Sequence, residues 1–204
     1  EGHSVLGERS LAIRCSHLAP GRLTRVATPT FIPPEALSLK GYSLMASPTL
    51  YPGQVLHARV EADAANPCTL QCGLYLRAYA EGDALALTRG PAVPLAPGAG
   101  HEFTWQVPDT AGAPIAQVGV EISGPAGATG TVYLDYLTWE GAPDVTFTRP
   151  AWGGTIWRQA WADAVDQVDV FSPEPFRLVQ NEGRGMLITG CREWKDYRVS
   201  ADVT

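Results

Sequence analysis

Residues 130–141 read Gly-Thr-Val-Tyr-Leu-Asp-Tyr-Leu-Thr-Trp-Glu-Gly, and this stretch narrows the possible folds more than any other. It is bounded by glycines, rich in β-branched and aromatic residues, and alternates with the period of a strand. Val132, Leu134 and Tyr136 point one way and Tyr133, Asp135, Leu137 and Trp139 the other. The expectation is a long strand over 131–139 with an apolar face on each side, closing a larger sheet. A carboxylate in the middle of such a strand is costly to bury unless it is hydrogen-bonded or holds a cation. The sequence leaves both fates of Asp135 open.

The upstream chain supplies the partners this strand needs. Over 54–64, Leu56, Ala58, Val60 and Ala62 alternate with His57, Arg59 and Glu61, which predicts one core face and one solvated face. Over 69–80, Leu70, Leu74, Leu76 and Ala78 oppose Tyr75, Arg77 and Tyr79. Residues 102–107 turn Phe103, Trp105 and Val107 inward, and 115–123 do the same with Val118, Val120 and Ile122. Shorter strands are expected at 10–15, 42–46 and 84–88. Pro29 restricts 25–32 to an edge strand or an arm. Pro52-Gly53 suits the centre of a type II turn, Glu81-Gly82-Asp83 is another turn, and 91–100 and 108–114 read as loops. Strands spaced about ten residues apart, with almost no helical periodicity, predict an all-β antiparallel sandwich of jelly-roll type over residues 1–141. The 21 glycines and 17 prolines suit many short strands joined by tight turns, and 45% hydrophobic residues can build a core without disulfides.

After residue 141 the texture changes. Pro143, Pro150 and the Gly153-Gly154 pair predict a linker over 142–155. Within 156–170, Trp157, Trp161, Ala164 and Val165 have helical spacing whereas residues 168–171 alternate, so helix and strand both remain open. A hairpin over 176–190 and a strand at 197–203 follow. These are too few strands for an independent sandwich. Residues 156–204 are therefore either part of a second β domain or an extension of the first sheet.

A net charge of −6 without any basic run argues against nucleic acid as a partner. No stretch approaches the roughly 18 to 20 apolar residues of a membrane span, so no membrane partner is expected. The chain begins without methionine or signal-peptide pattern, and the expectation is a piece cut from a longer parent. Cys15, Cys68, Cys72 and Cys191 are dispersed, which favours free thiols in a reducing, cytoplasmic compartment. Cys68 and Cys72 would lie roughly 13 Å apart on one strand, too far to bridge, and two cysteines alone do not make a zinc site.

The Gly7-Glu8-Arg9-Ser10-Leu11 start, the loop 47–53 ahead of a long strand, and the acid within the last strand resemble the galactose-binding-like jelly rolls found as carbohydrate-binding modules. More narrowly, that loop, residues 132–139, and the runs 181–185 and 192–197 are similar to the accessory region of some bacterial ADP-ribosylglycohydrolase-family proteins. There a jelly roll is followed by a concanavalin-like sandwich. The resemblance implies a non-catalytic module beside the catalytic domain of a parent hydrolase, because the acidic metal-binding motifs of such a hydrolase have no counterpart here. It also implies a structural calcium at Asp135, joined by Glu8 near the first strand.

Two sheet faces carry candidate ligand contacts: Tyr75, Arg77 and Tyr79 on one strand, His57 and Arg59 on another. Aromatic rings stack on the apolar side of a sugar while arginines fix its hydroxyls, so the expected partner is an oligosaccharide or a sugar-containing ligand, namely a neutral oligosaccharide or the glycan-like part of a nucleotide sugar. The alternative is a structural or interaction domain that packs against other domains or dimerises. A glycoside hydrolase is a third reading, with Glu121 and Asp135 as the carboxylate pair if their strands are neighbours. The four histidines have no metal-ligand spacing.

Overall fold

A computed structural model describes residues 2–19, 21–32, 47–148, 150, 153–160, 162–169, 177–191 and 194–201. Eight strands build the body of the molecule: β1 (Leu11–Cys15), β2 (Thr24–Pro29), β3 (Val55–Ala62), β4 (Leu70–Tyr79), β5 (Leu85–Leu95), β6 (Gly100–Gln106), β7 (Ile115–Ser123) and β8 (Gly130–Glu140). They form two antiparallel four-stranded sheets, ordered β1-β8-β3-β6 and β2-β7-β4-β5. Apart from the β4–β5 hairpin, consecutive strands alternate between the two sheets, which is a jelly roll, as the turn spacing predicts. The strand expected at 42–46 lies outside the described residues.

Alternation puts the apolar side chains between the sheets. Ala58, Val60, Ala62, Phe103 and Val132 of the first sheet meet Cys72, Leu74, Val120 and Ile122 of the second. Leu56 and Val107 meet Leu76, Ala78, Ile115 and Val118 in a second cluster towards one end. These inward positions of β3, β4 and β7 follow the period-two pattern read from the sequence, except Ile115, which a bulge opposite Arg77 and Ala78 turns inward out of step with Val118, Val120 and Ile122.

β8 departs from it. Val60 pairs with Leu134, but the next residue back on β3, Arg59, pairs with Tyr136, so Asp135 is an extra residue in a β-bulge. A bulge shifts the alternation by one. Leu137 and Trp139 therefore turn in against the core, while Tyr136 joins Arg59 on the outside, the reverse of the unbroken alternation expected. The other surprise is β5, which runs past the expected 84–88 through Pro91 and Pro94 to Leu95. As the edge of its sheet it can carry prolines without losing ladder hydrogen bonds.

Beyond β8 the chain lies against one end of the sandwich. The Asp144 amide donates to the Pro52 carbonyl at 2.8 Å, just where Gly53, at φ +87°, leaves no room for a side chain. A short 3-10 turn, Ile156–Ala160, is held by Asp83, whose carboxylate accepts from the Thr155 and Ile156 amides at 2.8 to 3.0 Å and from the Thr155 hydroxyl at 3.1 Å. Trp157 and Ala160 are buried there. Four three-residue strands follow, β9 (Ala162–Ala164), β10 (Gln167–Asp169), β11 (Arg177–Val179) and β12 (Met186–Ile188). The expected hairpin does not form, because β11 pairs with β10 and β12 with β9. Residues 197–201 of the last expected strand are not in a strand.

Tyr51 ties this segment down. Its hydroxyl lies 3.1 Å from Thr189 Oγ1 and accepts from the Gly190 amide at 3.1 Å, and its ring meets Trp194 edge-on at 4.9 Å. Burial pushes the Tyr51 hydroxyl up to about 12, so it is a neutral hydrogen-bonding group at any ordinary pH.

Candidate functional site

The residues expected to share one ligand occupy opposite outsides of the sandwich. His57 and Arg59 project from β3 in the first sheet, and Tyr75, Arg77 and Tyr79 from β4 in the second, with the core between them. They do not form one site. Two outer faces must be described separately.

The first sheet's outer face is covered in part by the N-terminal segment. The His3 ring stacks on Tyr133 with centroids 3.8 Å apart and planes 5° from parallel, and its Nδ1 is 2.7 Å from Glu61 Oε1. Tyr133 donates its hydroxyl hydrogen to Asp63 Oδ2 at 2.7 Å. Hydrogen bonds from the Ala65 amide and from Tyr133 hold the Asp63 carboxyl below the usual range. Further along, Arg59 pairs with Glu102 at 3.2 Å and His57 Nε2 lies 3.6 Å from Glu140.

Asp135 belongs to this face. Its Oδ2 accepts from the Val5 amide at 2.8 Å and the Leu6 amide at 3.1 Å, and its Oδ1 from the Ser4 hydroxyl at 2.9 Å. The Val5 amide, followed by Ser4 and Leu6, keeps the carboxyl below its ordinary value. Of the two fates expected for this acid, the arrangement is the hydrogen-bonded one. Calcium takes six to eight oxygen ligands, whereas the Asp135 oxygens already accept from Ser4, Val5 and Leu6, and Glu8 is exposed with no hydrogen bond or ion pair to Asp135. The residues as arranged do not fit calcium.

The second sheet's outer face is built differently. The strands β2, β7, β4 and β5 carry four charged residues, Arg25, Glu121, Arg77 and Arg89. Cross-strand register sets Arg25 opposite Glu121 and Arg89 opposite Tyr75. The Glu121 carboxylate, with its side chain only 11% exposed, takes Arg25 Nη2 at 3.1 Å on one oxygen and Arg89 Nε at 2.6 Å on the other. Below this clamp lies Tyr75, 2% exposed, with the Arg25 guanidinium 5.6 Å above its ring. Tyr75 also pairs with Gly119, where an added Cβ would collide with the β2 backbone at Val26 and Ala27. Burial raises its hydroxyl above the ordinary value, with Arg77 and Arg25 opposing.

Tyr75 is thus a floor under the charges and not the open stacking platform expected. Arg77 and Tyr79 are half-buried, and Arg89 is 55% exposed. Among the described residues Arg77 makes no hydrogen bond or ion pair. Arg25 and Arg89 were absent from the expected site because 25–32 reads as an arm and 84–88 stops one residue short of Arg89. Continuing the Tyr75, Arg77, Tyr79 face across its neighbours would have found them.

The carboxylate pair expected for a glycosidase is not assembled either. Glu121 lies in the second sheet between two arginines and Asp135 in the first sheet under residues 4–6. The four cysteines form no disulfide, and burial pushes the Cys72 thiol up to about 12, which makes it an inert core group.

No family model matches the chain, and no curated protein matches it. The narrower likeness to the accessory region of ADP-ribosylglycohydrolase-family proteins finds no support there. Among solved structures, "Family 16 Carbohydrate Binding Module-2" is similar over 63% of this chain and 74% of that one, at 11% identity and a TM-score of 0.33. A likeness so loose adds nothing to the fold assignment, which rests on the strand order.

Proposed function

We propose that this chain is a non-catalytic carbohydrate-binding module that uses the outer face of the sheet β2-β7-β4-β5. The observation that carries the reading is the group of Arg25, Glu121, Arg89 and Arg77 on one sheet face, with Arg25 over the Tyr75 ring and Tyr79 further along the same side of β4. Fixed guanidiniums offer planar pairs of donors to sugar hydroxyls and carboxylates, and the half-buried Tyr79 ring offers an apolar edge. A face open on one side gives modest affinity, of the order of micromolar to millimolar, or about −4 to −8 kcal/mol. Glycan-array screening followed by calorimetry on the isolated chain tests it. Binding that weakens in Tyr79→Ala and Arg89→Gln supports the reading, and absence of binding to any glycan ends it. Turnover of a glycoside by the isolated chain would overturn the non-catalytic part.

An interaction module is the second reading, favoured by Val5, Leu6 and Leu11. These residues are 70%, 64% and 51% exposed and lie at or near β1, whose outer edge is unpaired. A monomer at every concentration in light scattering, without partner-dependent change, would remove self-association from that reading. Service beside the catalytic domain of a larger hydrolase is a proposal on the same footing, tested by the activity of that parent with and without this chain.

A further inference from the structure

We infer that the ligand of this face is an acidic oligosaccharide whose uronic-acid carboxylates are seated by Arg77 and Arg89, rather than a neutral glycan. The inference rests on the reading of the face as a glycan site and names the ligand class. The second sheet carries three guanidiniums against one carboxylate, a surplus of two positive charges on a chain whose net charge is −6. Such a surplus concentrated on one face of an acidic protein attracts anions locally.

The face already shows how it holds a carboxylate. Glu121 is gripped from both sides, by Arg25 through Nε and Nη2 and by Arg89 through Nε. Among the described residues the terminal nitrogens of Arg89 hold no protein partner, and Arg77, two residues beyond Tyr75 on the outward side of β4, has none either. Unused guanidinium donors on an ordered sheet face present a planar fork that matches a carboxylate. Of the two acids that follow β4, Asp83 is committed to the amides of Thr155 and Ile156, and neither it nor the exposed Glu81 is in an ion pair with Arg77. Tyr79 lies on the same side of β4, its ring held edge-to-face with Phe31 at 6.1 Å. The rest of the chain sets an upper limit on ligand charge, because its excess of acids repels a densely charged polyanion. Sparse carboxylates along a sugar backbone satisfy both conditions.

Calorimetry decides it with three probes of equal length: an oligogalacturonate, the same oligomer after chemical reduction of its carboxyls, and a heavily sulfated oligosaccharide. The expected result is that the oligogalacturonate binds about tenfold or more tightly than its reduced form. Arg77→Gln should weaken oligogalacturonate binding more than it weakens binding of the reduced oligomer, and so narrow that difference. Arg14→Gln, the same charge change on the first sheet, should leave all affinities as in the wild type. Thermal melting confirms that the variants fold. Equal binding of oxidised and reduced oligomers overturns the acidic-ligand inference and leaves the glycan-binding function standing. Failure of both to bind, with failure of every neutral glycan, removes the function itself. Oligogalacturonate binding that survives Arg77→Gln and Arg89→Gln together places the site elsewhere and overturns the inference, as does tighter binding of the sulfated probe.

Discussion

The two outer faces of this sandwich come from the same architecture and have opposite electrostatic character. Strands β1, β3, β6 and β8 carry Arg14 and Arg59 against Glu61, Glu102, Asp135 and Glu140, whereas β2, β4, β5 and β7 carry Arg25, Arg77 and Arg89 against Glu121 alone. On the first face the acids are engaged: Glu61 by His3, Glu102 by Arg59, Asp135 by residues 4–6, and Glu140 faces His57. On the second, one acid is shared by two arginines and a third arginine is spare. A face whose charges are satisfied internally and overlaid by its own chain is finished surface. A face with a spare guanidinium beside a paired cluster has capacity for a ligand. The difference lies in charge balance and in pairing, since both faces carry tyrosines and arginines but only the second has more arginines than acids.

The comparison breaks most completely if the core that holds the faces apart is damaged. Leu74 is 1% exposed and packs against side chains of both sheets. Leu74→Ala should cost about 2–5 kcal/mol of stability, measured by urea unfolding, and both faces should be lost in a single transition. Separate transitions for the two faces would mean the sheets are not one cooperative unit.

Much of this was legible from the sequence because period-two alternation is a strong signal where one strand face is buried. Leu56, Val60, Leu74, Leu76, Val118 and Val120 all lie where alternation puts them. Alternation fails at an inserted residue, and nothing in residues 130–141 announces that Asp135 is one, so Tyr136, Leu137 and Trp139 were assigned to the wrong sides. Alternation also says which residues share a face of one strand without saying which strands share a sheet. His57 and Arg59 were grouped with Tyr75 and Arg77 for that reason, although β3 and β4, adjacent in sequence, belong to different sheets. The clamp at Glu121 is made by strands distant in sequence, and only the register brings Arg25, Glu121 and Arg89 together.

Glu121→Gln sharpens the comparison by removing the one acid of the second face. The clamp is partly exposed, so the loss in stability should be about 1–2 kcal/mol by denaturant unfolding. Arg25 and Arg89 are freed by the same change, and oligogalacturonate affinity should rise. Affinity that falls instead would mean that Glu121 holds the arginines in their binding geometry.

Tyr51→Phe probes neither face but the end of the sandwich where residues 189–194 are docked. The variant removes the hydroxyl that accepts from Gly190 and contacts Thr189, at a cost of about 1 kcal/mol. Limited proteolysis should cut the C-terminal segment sooner while β1 to β8 stay protected. Equal protection would show that the Tyr51–Trp194 ring contact suffices.

Acid titration distinguishes the faces more gently. Asp63 and Asp135, both on the first face, and Asp83, at the end of the second, have folded-state carboxyls held below the ordinary value. For Asp83 burial pushes upward, and the Ile156 and Thr155 amides outweigh it. A depressed folded value means that the stabilisation is complete above the unfolded value of about 4 and fades as pH falls through the folded one. The wild-type melting temperature should therefore drop below about pH 4, and Asp135→Asn should flatten part of that drop. An unchanged acid limb in the variant would show that the three donors from residues 4–6 contribute nothing to folding.

The smallest effect expected is that of a chelator. Asp135 Oδ1, Ser4 Oγ and the carbonyls of Leu6 and Gly7 gather around a single hydroxyl hydrogen, with Ser4 Oγ 3.1 Å from each carbonyl. An oxygen cluster of this kind is what a calcium ion would exploit. Against it stand the Val5 and Leu6 amides, whose hydrogens occupy the second carboxylate oxygen. A cation with six to eight oxygen ligands would have to displace that pairing and recruit Glu8 from solvent. The melting midpoint should thus be the same in EDTA and in millimolar calcium, and the same again for Glu8→Gln. A rise with calcium that Glu8→Gln abolishes would show that the N-terminal segment rearranges around a metal, and the first face would then be finished by an ion rather than by its own backbone.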